Sequence, residues 1–135
     1  MLTFFNRGVS ILVLLIGSAP FSGPMYSQSP EPAVRRLHGA ASVRGVIGGE
    51  SHDIYVIHVK NGQTLSVKVN WRRSGDNHAD FELSRSPDFS GEPVKFGKTT
   101  GDGSRFSGRV PATGDYFISV TGYPTVHYRL RVKVT

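Results

Sequence analysis

The sequence predicts an all-β protein, an antiparallel β-sandwich or jelly roll of seven or eight strands behind an N-terminal signal peptide. Three observations predict it. Apolar residues recur at period two in almost every segment beyond about residue 40. The turns between those segments, at spacings of roughly 8 to 15 residues, are rich in Gly, Pro, Asn and Asp. After the N-terminal run, no segment carries apolar residues at three-to-four spacing over the length of a helix.

The chain has 135 residues and a mass of 14.7 kDa, enough for one modest domain and too little for two with proper cores. It opens with a lone Arg7, an apolar run "GVSILVLLIG", and small or turn-forming residues in "SAPFSGPMYSQS". That order is the layout of a secretory signal peptide, predicted here over residues 1–27 with Ser27 as its last residue. The run is too short for a membrane-spanning helix of about 20 residues, so the mature protein is expected to have no transmembrane segment. The expected compartment is the periplasm or the outside of a bacterium. There is no cysteine, which excludes disulfides and a lipid anchor through an N-terminal Cys. Sixteen basic and ten acidic residues give a formal charge of +6. Removing the signal takes away Arg7 alone and leaves +5, a balance that favours anionic partners such as lipid headgroups, acidic glycans, other anionic envelope components or acidic proteins, with solubility as the competing reading.

Residues 28–39, "QSPEPAVRRLHG", show two prolines, mixed charge and no periodicity, and are predicted as a flexible tether. The β-sandwich domain is predicted over 40–135. "SVRGVIG" and "DIYVIHV" are its first strands, the second placing Tyr55, Ile57 and Val59 on one face with Ile54 and Val56 on the other. In "TLSVKVNW" the alternation is complete: Leu65, Val67, Val69 and Trp71 point inward. Asn61-Gly62 between the last two segments predicts a type I′ hairpin, because both central residues of that turn need positive φ. "DFELS", "VKF" and "RFSGRV" follow as short strands. Val110-Pro111-Ala112-Thr113-Gly114 is then read as a corner turning a hairpin into "DYFISV", and "HYRLRVKV" completes the set.

Catalytic chemistry has little support. No serine sits in a G-x-S-x-G elbow, and "GDGSR" lacks the spacing of a phosphate-binding loop, so no enzyme is expected. The candidate metal ligands are Asp76, Asn77, His78 and Asp80, a cluster of donors that suits calcium. Its order does not match an EF-hand loop, and a solvated turn between strands is the competing reading. Otherwise no cofactor is expected.

The basic residues form the larger candidate set. Arg129, Arg131 and Lys133 share the outward side of the last strand, and Lys68, Arg72 and Arg73 join them if strand order allows. The competing reading is protection of an exposed sheet edge. A nucleic-acid partner is not expected, because the outward positions lack aromatic residues to stack on bases. Tyr123 in "TGYPT", between the last two strands, is a further candidate contact residue.

The run "YVIHVKNGQTLSVKV", followed by "FSGRVPATGDYFISVTG" and "YRLRVKV", resembles the bacterial pre-peptidase C-terminal domain, a jelly-roll β-sandwich. It is also similar to the periplasmic inhibitors of g-type and i-type lysozymes. The resemblance covers roughly Gly39 to Thr135 and rests on fold-making residues, the Asn61-Gly62-Gln63-Thr64-Leu65 turn and the Gly108 to Val120 corner. It implies a non-catalytic binding module or, alternatively, a lysozyme inhibitor. In the inhibitor reading, loops at one end of the sandwich carrying Tyr123, Arg72, Arg73 and Arg105 would enter an acidic cleft.

Overall fold

The computed structural model describes residues 33–91 and 94–135. The predicted signal peptide, its cleavage point at Ser27 and residues 28–32 of the tether lie outside the described residues. Nine strands run through the described chain: β1 (Val34–Leu37), β2 (Ala41–Gly48), β3 (His52–Val59), β4 (Thr64–Trp71), β5 (His78–Ser84), β6 (Lys98–Thr99), β7 (Arg105–Arg109), β8 (Gly114–Tyr123) and β9 (Thr125–Val134). They form a four-stranded sheet in the order β1-β3-β8-β5 and a five-stranded sheet in the order β2-β9-β4-β7-β6. Every pairing is antiparallel except that of β1 with β3. The predicted all-β sandwich is therefore present, with one parallel edge.

Alternation explains which residues fill the space between the sheets. Tyr55, Ile57 and Val59 of β3 and Tyr116, Ile118 and Val120 of β8 are wholly buried on one layer. Leu65, Val67 and Val69 of β4 face them with Val126, Tyr128, Leu130 and Val132 of β9. A buried polar chain crosses this core: Tyr128 Oη donates to Asp53, and Tyr55 Oη lies 2.6 Å from Tyr128 Oη. Burial first, and the hydrogen bond to Asp53 second, push ionisation of the Tyr128 hydroxyl far above its ordinary range. Gly45, the cross-strand partner of Tyr128, makes room for that ring; a Cβ there would stand 2.5 Å from the Tyr128 hydroxyl oxygen.

The strand inventory departs from the expectation at two places. Residues 34–37, within the predicted tether, form β1: Leu37 is buried, and Arg36 binds Asp115 of β8 across the sheet, Nη2 to Oδ2 at 3.2 Å. Val94 to Phe96, predicted as a strand, is irregular and gives way to the two-residue β6. Phe96 still serves the core, packing edge-to-face on Phe106 and on Tyr116 with ring centroids 5.6 Å apart in each case.

Both predicted hairpins are corrected. β3 and β4 lie in different sheets, as do β7 and β8, so Asn61-Gly62 and the Val110–Gly114 segment each carry the chain across the sandwich. At the first, only Gly62 has positive φ (86°), which a type II turn requires and a type I′ turn does not satisfy. The two crossings are stitched together. Gly62 N donates to Val110 O at 2.9 Å, Val110 N to Gln63 O at 2.8 Å, and Asn61 N to Thr113 Oγ1 at 2.8 Å. Tyr116 locks the second by donating from its hydroxyl to Ala112 O at 2.7 Å, while Arg85 Nη1 donates to the same hydroxyl at 2.6 Å. Pro-Ala-Thr-Gly-Asp-Tyr is thus a tyrosine-braced corner between layers.

Candidate functional site

The end of the sandwich opposite these crossings gathers the turn from β4 to β5, the start of β7 and the passage from β8 to β9. Tyr123, the last residue of β8 and the cross-strand partner of His78, is 72% exposed. Trp71, which the alternation placed wholly inside, is half-buried at the same end and packs against the core from its margin. The Arg73 guanidinium carbon sits 4.9 Å from the Trp71 ring centroid, and the His78 ring meets Trp71 edge-on at 5.1 Å. Trp71 Nε1 is buried with no hydrogen-bond partner among the described residues. Trp71 lines two neighbouring depressions, one of 580 Å³ shared with Arg44, Arg72 and Arg129, the other of 440 Å³ shared with Arg73, Asp102 and Arg105.

The candidate metal ligands are used differently. Asn77 staples the turn from β4 to β5, accepting from Ser74 N at 2.9 Å and donating to Arg72 O at 2.8 Å, and so presents Arg72 and Arg73. Asp80 accepts from Thr121 Oγ1, and its other oxygen stands 3.8 Å from His78 Nε2. Among the described residues Asp76 has no hydrogen bond or ion pair to any of them. Among the described residues no three His, Asp or Glu side chains converge on one point.

The outer face of the five-stranded sheet is cationic throughout. Arg44 of β2, Arg129, Arg131 and Lys133 of β9, Lys68 of β4, Arg105 and Arg109 of β7 and Lys98 of β6 all point outward, and these five strands contain no Asp or Glu. None of the eight has an acidic partner within 4.0 Å among the described residues. β9 lies between β2 and β4, so edge protection does not account for Arg129, Arg131 and Lys133. Arg44, Lys98 and Arg109 went unnoticed in the sequence because only strand order brings them to this face. A carboxylate at the margin of this face, Asp102, has its pKa lowered to about 2 by hydrogen bonds from the Thr100 and Ser104 side chains of its own turn. No helix among the described residues is long and apolar enough to cross a membrane.

No family model matches this chain, and no curated protein matches it. Solved structures do. A periplasmic lysozyme inhibitor of g-type lysozyme from Aeromonas hydrophila is 24% identical with a TM-score of 0.55, over 76% of this chain and 100% of that one. The pre-peptidase C-terminal domain of a collagenase from Bacillus anthracis is 18% identical with a TM-score of 0.55, over 78% of this chain and 97% of that one. A mutant of the corresponding inhibitor from Escherichia coli is 20% identical with a TM-score of 0.56, covering 78% and 100%. The fold is shared with both kinds of protein. The resemblance read from the Asn61–Leu65 turn and the Gly108–Val120 corner therefore holds at the level of architecture.

Proposed function

We propose that this chain is an exported, non-catalytic binding module that seats the Tyr123 end of its sandwich on an acidic protein partner. The observation that carries the reading is the grouping there of an exposed tyrosine, a half-buried tryptophan and the guanidinium groups of Arg72 and Arg73. Tyrosine, tryptophan and arginine dominate the energetics of protein interfaces because they combine large contact area with directed hydrogen bonds. Within that class, the fold shared with inhibitors of g-type lysozyme supports a lysozyme as the partner. A glycosidase cleft carries paired carboxylates, and a basic, aromatic projection complements it in charge and shape.

The test is titration of the protein into chicken-, goose- and invertebrate-type lysozymes while cell-wall lysis is followed. Stoichiometric inhibition of one type is expected, and Tyr123→Ser combined with Arg73→Ser should abolish it without changing the melting temperature. Undiminished lysis by all three types at micromolar excess would refute the lysozyme partner.

A further inference from the structure

The cationic sheet face carries a second inference; it meets the Tyr123 end at Arg44, Arg129 and Arg105, while Lys68 and Arg131 lie outside the Trp71 depressions. Register sets Arg131 directly opposite Lys68, and Lys68 directly opposite Arg105, so three cations stand side by side on three adjacent strands. Arg44 is likewise opposite Arg129. Residues directly opposite have Cβ atoms about 5 Å apart, and like charges in that relation are destabilising. Nothing within the described chain relieves the repulsion, since no carboxylate projects from the five strands and Asp102 is turned into its own loop. The counter-charge of such a row is supplied by solvent ions or by a partner.

We propose that this face binds a linear acidic glycan, laid across the Arg131-Lys68-Arg105 row. The row borders a depression of 460 Å³ that Lys98 and Lys133 also line, a volume within the range of ligand sites. Its lining is mainly apolar, with Val67, Phe106 and the alkyl stems of the Lys and Arg side chains, so the ring faces of a sugar can lie against it while the ammonium and guanidinium groups meet carboxylate, sulfate or phosphate groups. A bilayer suits the face less well. Its one exposed large apolar side chain is Val46 at the margin, so it has nothing to insert below the headgroups. A nucleic acid suits it less well too, for no Phe, Tyr or Trp points outward from its strands to stack on bases and His127 is their single outward ring.

The experiment measures binding of the full chain to fluorescein-labelled heparin and polygalacturonate fragments by anisotropy. A single-stranded oligonucleotide of equal charge and phosphatidylglycerol vesicles serve as the other polyanions. Binding to at least one glycan should exceed binding to oligonucleotide and vesicles and weaken steeply with salt. The double variant Lys68→Ser with Arg131→Ser should lose about tenfold or more in glycan affinity. Its melting temperature should equal or exceed the parent's, because removing those charges relieves the row. Arg36→Ser, on the opposite sheet, should bind glycan as the parent does. No glycan binding at low salt, equal binding by the double variant, or equal or tighter binding of oligonucleotide or vesicles would each overturn the proposal. Lysozyme inhibition by the same double variant reads the Tyr123 end alone, which separates failure of one proposal from failure of the other.

Discussion

The two outer faces of this sandwich manage charge in opposite ways. The four-stranded sheet carries Asp80, Glu82 and Asp115 on its surface and matches two of them locally: Asp115 engages Arg36 and His58, and Asp80 engages Thr121 and His78. The five-stranded sheet carries cations and no acid. Both faces rest on the same core, so the difference does not come from folding requirements. A surface that balances its own charge is finished when the chain folds, whereas a surface of one sign is complementary to something else.

The comparison is sharpest along β9, where inward and outward residues alternate. Leu130→Ala, facing the core, should cost about 3 kcal/mol, whereas Arg131→Ser, its outward neighbour, should change stability by less than about 0.5 kcal/mol. Thermal unfolding of the two variants checks this, and a large loss from Arg131→Ser would mean that the face is structural. Gly45→Ala should come next, at about 1–3 kcal/mol, because its methyl group would press on the Tyr128 ring. Tyr116→Phe should cost about 1 kcal/mol by removing the brace on the corner, leaving Ala112 O to Arg85 alone. Smaller, and of opposite sign, is Lys68→Ser: a gain of a few tenths of a kcal/mol at low salt that fades as salt screens the row.

Acid should separate the two faces as well. The Asp115 carboxyl is held below its usual range, chiefly by the Arg36 hydrogen bond and then by His58. A depressed folded-state pKa means that its stabilising contribution is present above the unfolded value of about 3.9 and is lost as pH falls through the folded one. Asp115→Asn should therefore flatten part of the decline in melting temperature between about pH 5 and pH 2. Lys68→Ser should leave that decline unchanged.

Much of the layer structure was legible in the sequence, because period-two alternation assigns each side chain to the core or to solvent whichever sheet its strand joins. That same indifference is why strand order was not legible. Asn61-Gly62 flanked by two apolar strands reads equally as a hairpin within one sheet or a crossing between two, and the pattern of Tyr55, Ile57, Val59 and Leu65, Val67, Val69 is identical in both cases. β1 was hidden because "VRRL" buries only Leu37 and is held instead by its ladder to β3 and by Arg36. For the site, Tyr123, Arg72 and Arg73 were found from loop chemistry, but Trp71 was assigned wholly to the core on parity alone. The like-charge row was out of reach, since Arg131, Lys68 and Arg105 become neighbours only through register.

Strand order also dictates when the molecule can come into being. β8 and β9 are internal strands of the two sheets, yet they are the last two of the nine. Until they are present β2 has no neighbour, β5 has none, and β3 has only the short β1. A growing chain therefore stays without a core through most of its synthesis, and such distant pairings make the final assembly slow. For the exported module proposed above, threaded outward as an extended polypeptide, that postponement would keep the chain translocatable until its last two strands arrive.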